Sequence, residues 1–200
     1  MRRMNDIIVG TLITSLALVY IVFKTLSRNK IKGYLHSRLH TKKSKAPALK
    51  GFDMRNLVSI SDSGCYVFSL RNGRKAYCGS VSIVTGVPGY DKERFFIFVG
   101  DISIKMHVLF LEAGVLKYYD DAYGAGTLRN VRGSPGWFTH DGKLEANNLL
   151  QGRVEASPPS AQISVEVFES GMLIISVMNR NAVDEALSIA EFICDTYAGK

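Results

Sequence analysis

The N-terminal part of the chain carries an uninterrupted run of apolar residues from Ile7 to Phe23, in which Thr11, Thr14 and Ser15 are the only polar positions. A helix over this run is about 25 Å long, slightly short of a ~30 Å hydrocarbon core unless the flanking turns contribute. A helix in a globular core usually carries polar residues along one side, and no cleavage site with small residues follows this run. The pattern predicts a retained transmembrane anchor over residues 1–28. The residues expected in the span are Ile7, Leu12, Leu16, Val19 and Phe23.

Beyond residue 50 the pattern changes to short apolar and β-branched runs separated by turn residues, which is typical of strands. The clearest hairpin is CYVFSL, RNGR, KAYCGS, where a two-residue turn at Asn72-Gly73 would place Val67 opposite Cys78. The Gly-rich stretch from Ala122 to Asn148 predicts an irregular, exposed loop. Further strands are predicted at Val81–Thr85, Arg94–Val99, Ile102–Glu112, Val115–Asp120, Ile163–Glu169 and Met172–Met178.

The last segment changes to helical spacing, with apolar residues recurring from Val183 to Tyr197 and Asn181 expected as the cap. The apolar stripe of this helix needs a sheet to cover. We therefore expect an α+β fold in which residues 51–200 form one domain, a largely antiparallel β-sheet with a C-terminal helix packed on it. Residues 29–50 are predicted to form a basic stem and a linker. The linker is expected at Thr41 to Lys50, because this segment is polar, charged and interrupted by a proline.

The net charge of +7 is concentrated near the N-terminus. Residues 1–50 hold eleven of the 25 Lys and Arg but one of the 18 Asp and Glu, which leaves residues 51–200 with a formal charge of −3. A general nucleic-acid-binding body is therefore disfavoured. The stem is expected either to lie on the membrane as a basic amphipathic helix or to be a solvated extension of the span. The expected contacts with an anionic surface are Lys24, Arg28, Lys30, Lys32, Arg38, Lys42 and Lys43.

The excess of Lys and Arg after the run predicts an outer N-terminus and a cytosolic C-terminal domain. The three cysteines, Cys65, Cys78 and Cys194, are expected to be free thiols, which suits a reducing compartment. No cofactor is predicted, and no metal site: His36 and His40 share a helical face, but no third ligand accompanies them.

No catalytic set is evident either. Ser134 with His140 and Asp141 lacks a nucleophile elbow, and His107 is expected to be a structural histidine within a strand. The long loop is more suggestive of a contact surface, because aromatic residues and arginine dominate interface hot spots. Its candidate partner contacts are Tyr118, Tyr119, Tyr123, Arg129, Arg132, Trp137 and Phe138, with inward packing of the last two as the alternative.

Residues 158–198 contain an apolar strand ending in Phe168-x-Ser170-Gly171, a second strand with Ile174 and Ile175, and an Ala-rich helix. This stretch resembles one repeat of the TATA-box-binding-protein fold. The resemblance implies a sheet covered by a helix. It does not extend to DNA binding, because no second copy is evident and the basic residues of the DNA-facing side are missing.

These patterns predict a non-enzymatic, single-pass structural protein whose body docks onto a larger assembly at the membrane surface. A minor capsid component of a membrane-containing virus, with the body beside a virion inner membrane, is one such setting. The alternatives are a membrane-tethered regulatory module that binds protein or nucleic acid and a membrane-bound hydrolase using Ser134 or Cys65.

Overall fold

The computed structural model describes residues 2–84, 92–102, 104, 107–112, 115, 137–139, 148–169 and 171–197. Within these ranges, only the backbone is described for residues 2–8, 23–24, 27–28, 63 and 137–139.

The N-terminal helix, α1, extends without a break from Arg2 to Leu39. It ends because His40 adopts a left-handed conformation (φ 48°), and the His40 N–H donates to the carbonyl of His36 at 3.1 Å. The chain then turns back along the body, where the side chain of Thr41 is buried. Thus the helix that carries the apolar run also carries the predicted stem.

Eight strands in the described residues form one sheet in which every neighbouring pair is antiparallel. The order across the sheet is β1-β2-β3-β4-β8-β7-β5-β6. The strands are β1 (Lys42–Lys43), β2 (Val58–Ser69), β3 (Lys75–Ile83), β4 (Lys92–Gly100), β5 (Val108–Phe110), β6 (Trp137–Thr139), β7 (Ser164–Phe168) and β8 (Gly171–Ser176).

Both faces of the sheet are covered. Two helices, α2 (Asn148–Glu155) and α3 (Arg180–Tyr197), lie on one face, where apolar residues of α3 pack against β4 and β8. The segment that contains a 3₁₀ turn at Asp53–Asn56 covers the other face. Because side chains alternate along a strand, β8 contributes Met172 and Ile174 to the helix-covered core, and Leu173 and Ile175 to the other.

The hairpin between β2 and β3 is present, but its predicted register is wrong by one residue. Val67 pairs with Tyr77, and Tyr66 pairs with Cys78. The reason lies in the turn: Leu70 and Arg74 are hydrogen-bonded across three residues, and only Gly73 has a positive φ, at 79°. This is the geometry of a three-residue loop with a glycine in the left-handed position, rather than the two-residue turn expected from Asn-Gly.

Two element boundaries also differ from the predictions. The cap of α3 is Asn179, not Asn181, because the side-chain oxygen of Asn179 accepts the N–H of Ala182 at 2.9 Å. In the described part of the predicted strand Ile102–Glu112, only Val108–Phe110 is paired.

The predicted α+β fold, with an antiparallel sheet and a C-terminal helix on it, is confirmed. The predicted transmembrane helix is not. Among the residues that the structure describes, no helix has a stretch that is both long and apolar enough for a membrane span.

Candidate functional site

The junction between α1 and the body is the most distinctive contact surface of the molecule. Ile31, Tyr34, Leu35 and Arg38 are spaced three and four residues apart, so they share one side of the helix. Ile31 and Leu35 are 8% and 3% exposed and belong to the same core as α3. The apolar stripe of the stem is therefore packed on the body.

A polar cluster at the junction reinforces this packing. The Tyr34 hydroxyl donates to Asp184 of α3 at 2.5 Å, and Arg38 donates to the Tyr34 hydroxyl at 2.9 Å. Arg38 also forms an ion pair with Asp184, and the guanidinium of Arg180 lies 5.4 Å from the centre of the Tyr34 ring. Burial and the hydrogen bond to Asp184 raise the pKa of Tyr34, so this hydroxyl keeps its proton at neutral pH.

The apolar part of α1 is exposed where its side chains are described. Large apolar residues from Val9 to Val22 are each at least half exposed, and Leu18 to Val22 are consecutive, so every side of the helix is apolar. Soluble domains rarely expose a continuous apolar surface of this kind. Of the five residues predicted for the span, Leu12, Leu16 and Val19 belong to this surface, whereas the side chains of Ile7 and Phe23 lie outside the described residues.

The basic residues predicted to contact an anionic surface fall in two places. Lys30, Lys32 and Arg38 are exposed on the last turns of α1, and Lys42 and Lys43 are exposed on the short edge strand β1. The side chains of Lys24 and Arg28 lie outside the described residues. Most of the described stem cations therefore remain available to solvent although the stem packs on the body.

A groove of about 260 Å³ lies between α1 and the sheet. Its lining combines an apolar part, including Ile31, Leu35 and Phe95, with hydroxyl groups of Ser59, Ser80 and Ser82. Lys32 and Glu93 add one side chain of each charge to this lining. The groove thus combines apolar, hydroxyl and charged groups, as ligand-binding clefts commonly do.

On the other face of the sheet, three chain segments bring Asp53, His107 and Glu166 together. The His107 Nε2 atom lies 3.3 Å from Glu166 Oε1 and 3.6 Å from Asp53 Oδ2. Glu166 is fully buried, and its carboxylate accepts the backbone N–H groups of Asp53 at 2.6 Å and Met54 at 2.8 Å. The His107 ring also contacts the Phe168 ring edge-on, with centroids 4.9 Å apart.

Sequence reasoning missed this cluster because its members are more than fifty residues apart along the chain. The available signal was weak: His107 and Glu166 each lie in a predicted strand, but only the observed pairing of Leu109 with Glu166 places them on one face. Asp53 precedes the first predicted strand, and no periodicity indicates where it folds.

The cysteines do not suit nucleophilic chemistry. Cys65, Cys78 and Cys194 are free and buried. Burial raises the pKa of Cys65 to about 11 and that of Cys78 to about 12, so both remain protonated at neutral pH. Cys65 and Cys78 also lie in the cores on opposite faces of the sheet.

The side chains of the predicted partner contacts in the long loop lie outside the described residues. Trp137 and Phe138 lie in the edge strand β6, of which only the backbone is described. Tyr118, Tyr119, Tyr123, Arg129 and Arg132 lie outside the described residues, as do Ser134, His140 and Asp141.

The order of β7, β8 and α3 is the strand, strand, helix order expected from the resemblance to a TATA-box-binding-protein repeat. No protein-family model, curated protein or solved structure matches the chain. Since a shared supersecondary unit does not determine function, the surfaces themselves carry the functional evidence.

Proposed function

We propose that this protein is a membrane-anchored structural protein that holds its β-rich body in a fixed position at the membrane surface, where the body docks onto a larger assembly. The observation that carries the proposal is the continuity of α1. A single helix joins the exposed apolar segment Val9–Val22 to Ile31 and Leu35, which are buried in the body.

The distance along α1 supports close placement of the body. If the apolar run enters the bilayer up to Phe23, the first buried junction residue, Ile31, follows after roughly 12 Å of helix. The headgroup region on one side of a bilayer is of order 5–8 Å thick. Ile31 would then lie roughly 4–7 Å beyond the outer limit of the headgroups, so the body would begin close to the membrane surface.

The charges of the stem suit this position. Lys30 and Lys32 are exposed on the part of α1 that would emerge from the bilayer. A Lys or Arg near an anionic leaflet contributes about 1 kcal/mol of attraction. The described stretch of α1 alone is too short or too little apolar for a span, so we propose that the whole run from Ile7 to Phe23 inserts as one. The cation excess on the C-terminal side of the run then favours a body on the cytosolic side.

Membrane attachment is tested with the full chain and a double variant, Leu16→Lys/Val19→Lys. Each lysine at the centre of a span costs about 2.5–3.5 kcal/mol, so the variant should leave the membrane pellet after alkaline carbonate extraction while the wild type stays in it. Ser37→Lys, an added charge on an exposed position near the end of the same helix, is the matched control and should remain in the pellet. A wild type released by carbonate would refute an embedded helix.

The structural role is tested by mild detergent extraction, sedimentation and mass spectrometry of the proteins that travel with the chain. Co-sedimentation with a large particle of fixed composition is the expected result. Migration as a small single species would contradict it and favour the regulatory module.

A further inference from the structure

We propose that Asp53, His107 and Glu166 bind one divalent transition-metal ion, with Zn²⁺ as the best match to the donor set. The cluster joins the 3₁₀ turn at Asp53–Asn56 to β7 and to the residue before β5, on the face of the sheet away from α3. One imidazole nitrogen and two carboxylates are common zinc ligands.

The distances between the donor atoms suit a shared cation. Ligand atoms at about 2.0–2.1 Å from a tetrahedral ion lie roughly 3.3–3.4 Å from one another. The His107 Nε2 atom is 3.3 Å from Glu166 Oε1 and 3.6 Å from Asp53 Oδ2, and donor atoms of all three residues lie within 4.8 Å of one another. Small rotations of the partly exposed Asp53 and His107 side chains would bring the three atoms onto one coordination sphere.

The electrostatics of the cluster favour a double positive charge. Two carboxylates lie together, and that of Glu166 is fully buried, where an uncompensated charge is costly. A protonated His107 would neutralise one of the two charges. A divalent ion bound by neutral His107 would neutralise both.

The surroundings hold the carboxylate of Glu166 in place. Backbone N–H groups of Asp53 and Met54 donate to the two carboxylate oxygens of Glu166, and each oxygen has a second lone pair for a metal. Such outer contacts orient ligands and tune their affinity. The side chains of His107 and Asp53 are 18% and 26% exposed, which gives an ion a path from solvent.

The test uses the full-length protein in detergent, freed of metal with a chelator and titrated with Zn²⁺, with Mg²⁺ in parallel. We expect one Zn²⁺ per chain, a higher melting temperature with Zn²⁺, and no comparable effect of Mg²⁺. Asp53→Asn and His107→Gln should each weaken Zn²⁺ binding at least about tenfold. Zn²⁺ binding that is absent in the wild type, or equally tight in both variants, would overturn the proposal.

A pair of histidines outside the cluster provides the control. His36 and His40 on α1 could hold Zn²⁺ adventitiously, so His36→Gln/His40→Asn should leave Zn²⁺ binding unchanged. Asparagine is chosen at position 40 because it tolerates the left-handed backbone there. Loss of Zn²⁺ binding in this control would place the ion on α1 and refute the site.

If a cluster variant unfolds, the absorption spectrum of Co²⁺ bound to the wild type tests the site instead. A spectrum of tetrahedral nitrogen and oxygen ligation supports the site, and an octahedral spectrum opposes it.

Discussion

At the residue scale, the contact between Gly79 and Gly64 restricts the sheet most tightly. The register of β2 against β3 shifts between Ile60 and Cys65, so β2 bulges at this point. A Cβ atom on Gly79 would lie 1.9 Å from the carbonyl oxygen of Gly64. The close approach of the two backbones therefore requires glycine at position 79.

We predict that Gly79→Ala lowers the free energy of unfolding by more than about 1 kcal/mol, because the native backbone cannot accept the methyl group. Urea denaturation followed by circular dichroism measures the change. Gly152→Ala is the matched control: Gly152 is exposed in α2 with nothing within 4 Å of an added Cβ, so alanine should be neutral or stabilising there by about 0.5–1 kcal/mol. Equal effects of the two substitutions would show that the bulge does not need glycine.

A charged contact between α2 and α3 gives a pH-dependent prediction. Arg153 donates to Glu185 at 2.6 Å, and Ser157 donates to the same oxygen at 2.7 Å. Burial alone would raise the pKa of Glu185, but these hydrogen bonds and the charge of Arg153 lower it overall. The stabilisation that ionised Glu185 gives the fold is therefore complete above the unfolded-state pKa of a glutamate, about 4.3. It is lost as the pH falls through the lower pKa that Glu185 has in the folded state.

We expect Arg153→Met to cost about 1.5–3 kcal/mol at pH 7, as for other hydrogen bonds to charged groups. The difference from the wild type should shrink as the pH is lowered through the folded-state pKa of Glu185, below its unfolded value. Urea denaturation across this pH range measures it. A difference that is independent of pH would mean that the arginine acts through packing alone.

At the scale of elements, the junction of α1 with the body depends on the burial of Ile31 and Leu35. Leu35 is almost fully buried against the helix-covered core. Leu35→Ala should destabilise the body by about 2–5 kcal/mol through lost burial and the cavity left behind. Lys30→Ala, on the exposed side of the same helix, should change stability by no more than about 0.5 kcal/mol. The melting temperatures of the two variants measure these effects. Similar values for both would mean that α1 is not part of the folded body.

The sequence predicted the secondary-structure elements better than it predicted the strand register and the contacts between distant segments. Strand runs and the final helix were evident from spacing alone, because alternation and helical periodicity are local properties. The register of β2 against β3 was not evident, because Asn72-Gly73 is compatible with two turn types. The bulge before Cys65 also has no clear local signal in the sequence. The same limit applies to Asp53, His107 and Glu166, which meet only through the strand order β8-β7-β5 and a turn that folds over it.

At the scale of the whole molecule, one helix, α1, joins the exposed apolar segment to the body. A flexible tether would let the body reorient freely, whereas an unbroken helix packed at Ile31 and Leu35 fixes its direction relative to the apolar segment. If binding to the proposed assembly requires this fixed orientation of the body, the stiffness of α1 between Leu26 and Ile31 is part of the function. If it needs only proximity to the membrane, the stiffness is incidental.

Two insertions after Leu26 separate these cases. A Gly-Ser segment of seven residues makes the link flexible, and an Ala-rich segment of seven residues keeps it helical, raising the body by roughly 10 Å with little rotation. We predict that both variants remain in the membrane pellet with the wild-type melting temperature of the body, because neither touches the span or the junction. Both should lose co-sedimentation with the assembly, the flexible one through lost orientation and the helical one through lost depth. Retention of co-sedimentation by the flexible variant alone would show that proximity suffices, because only that variant can still bring the body down to the headgroups.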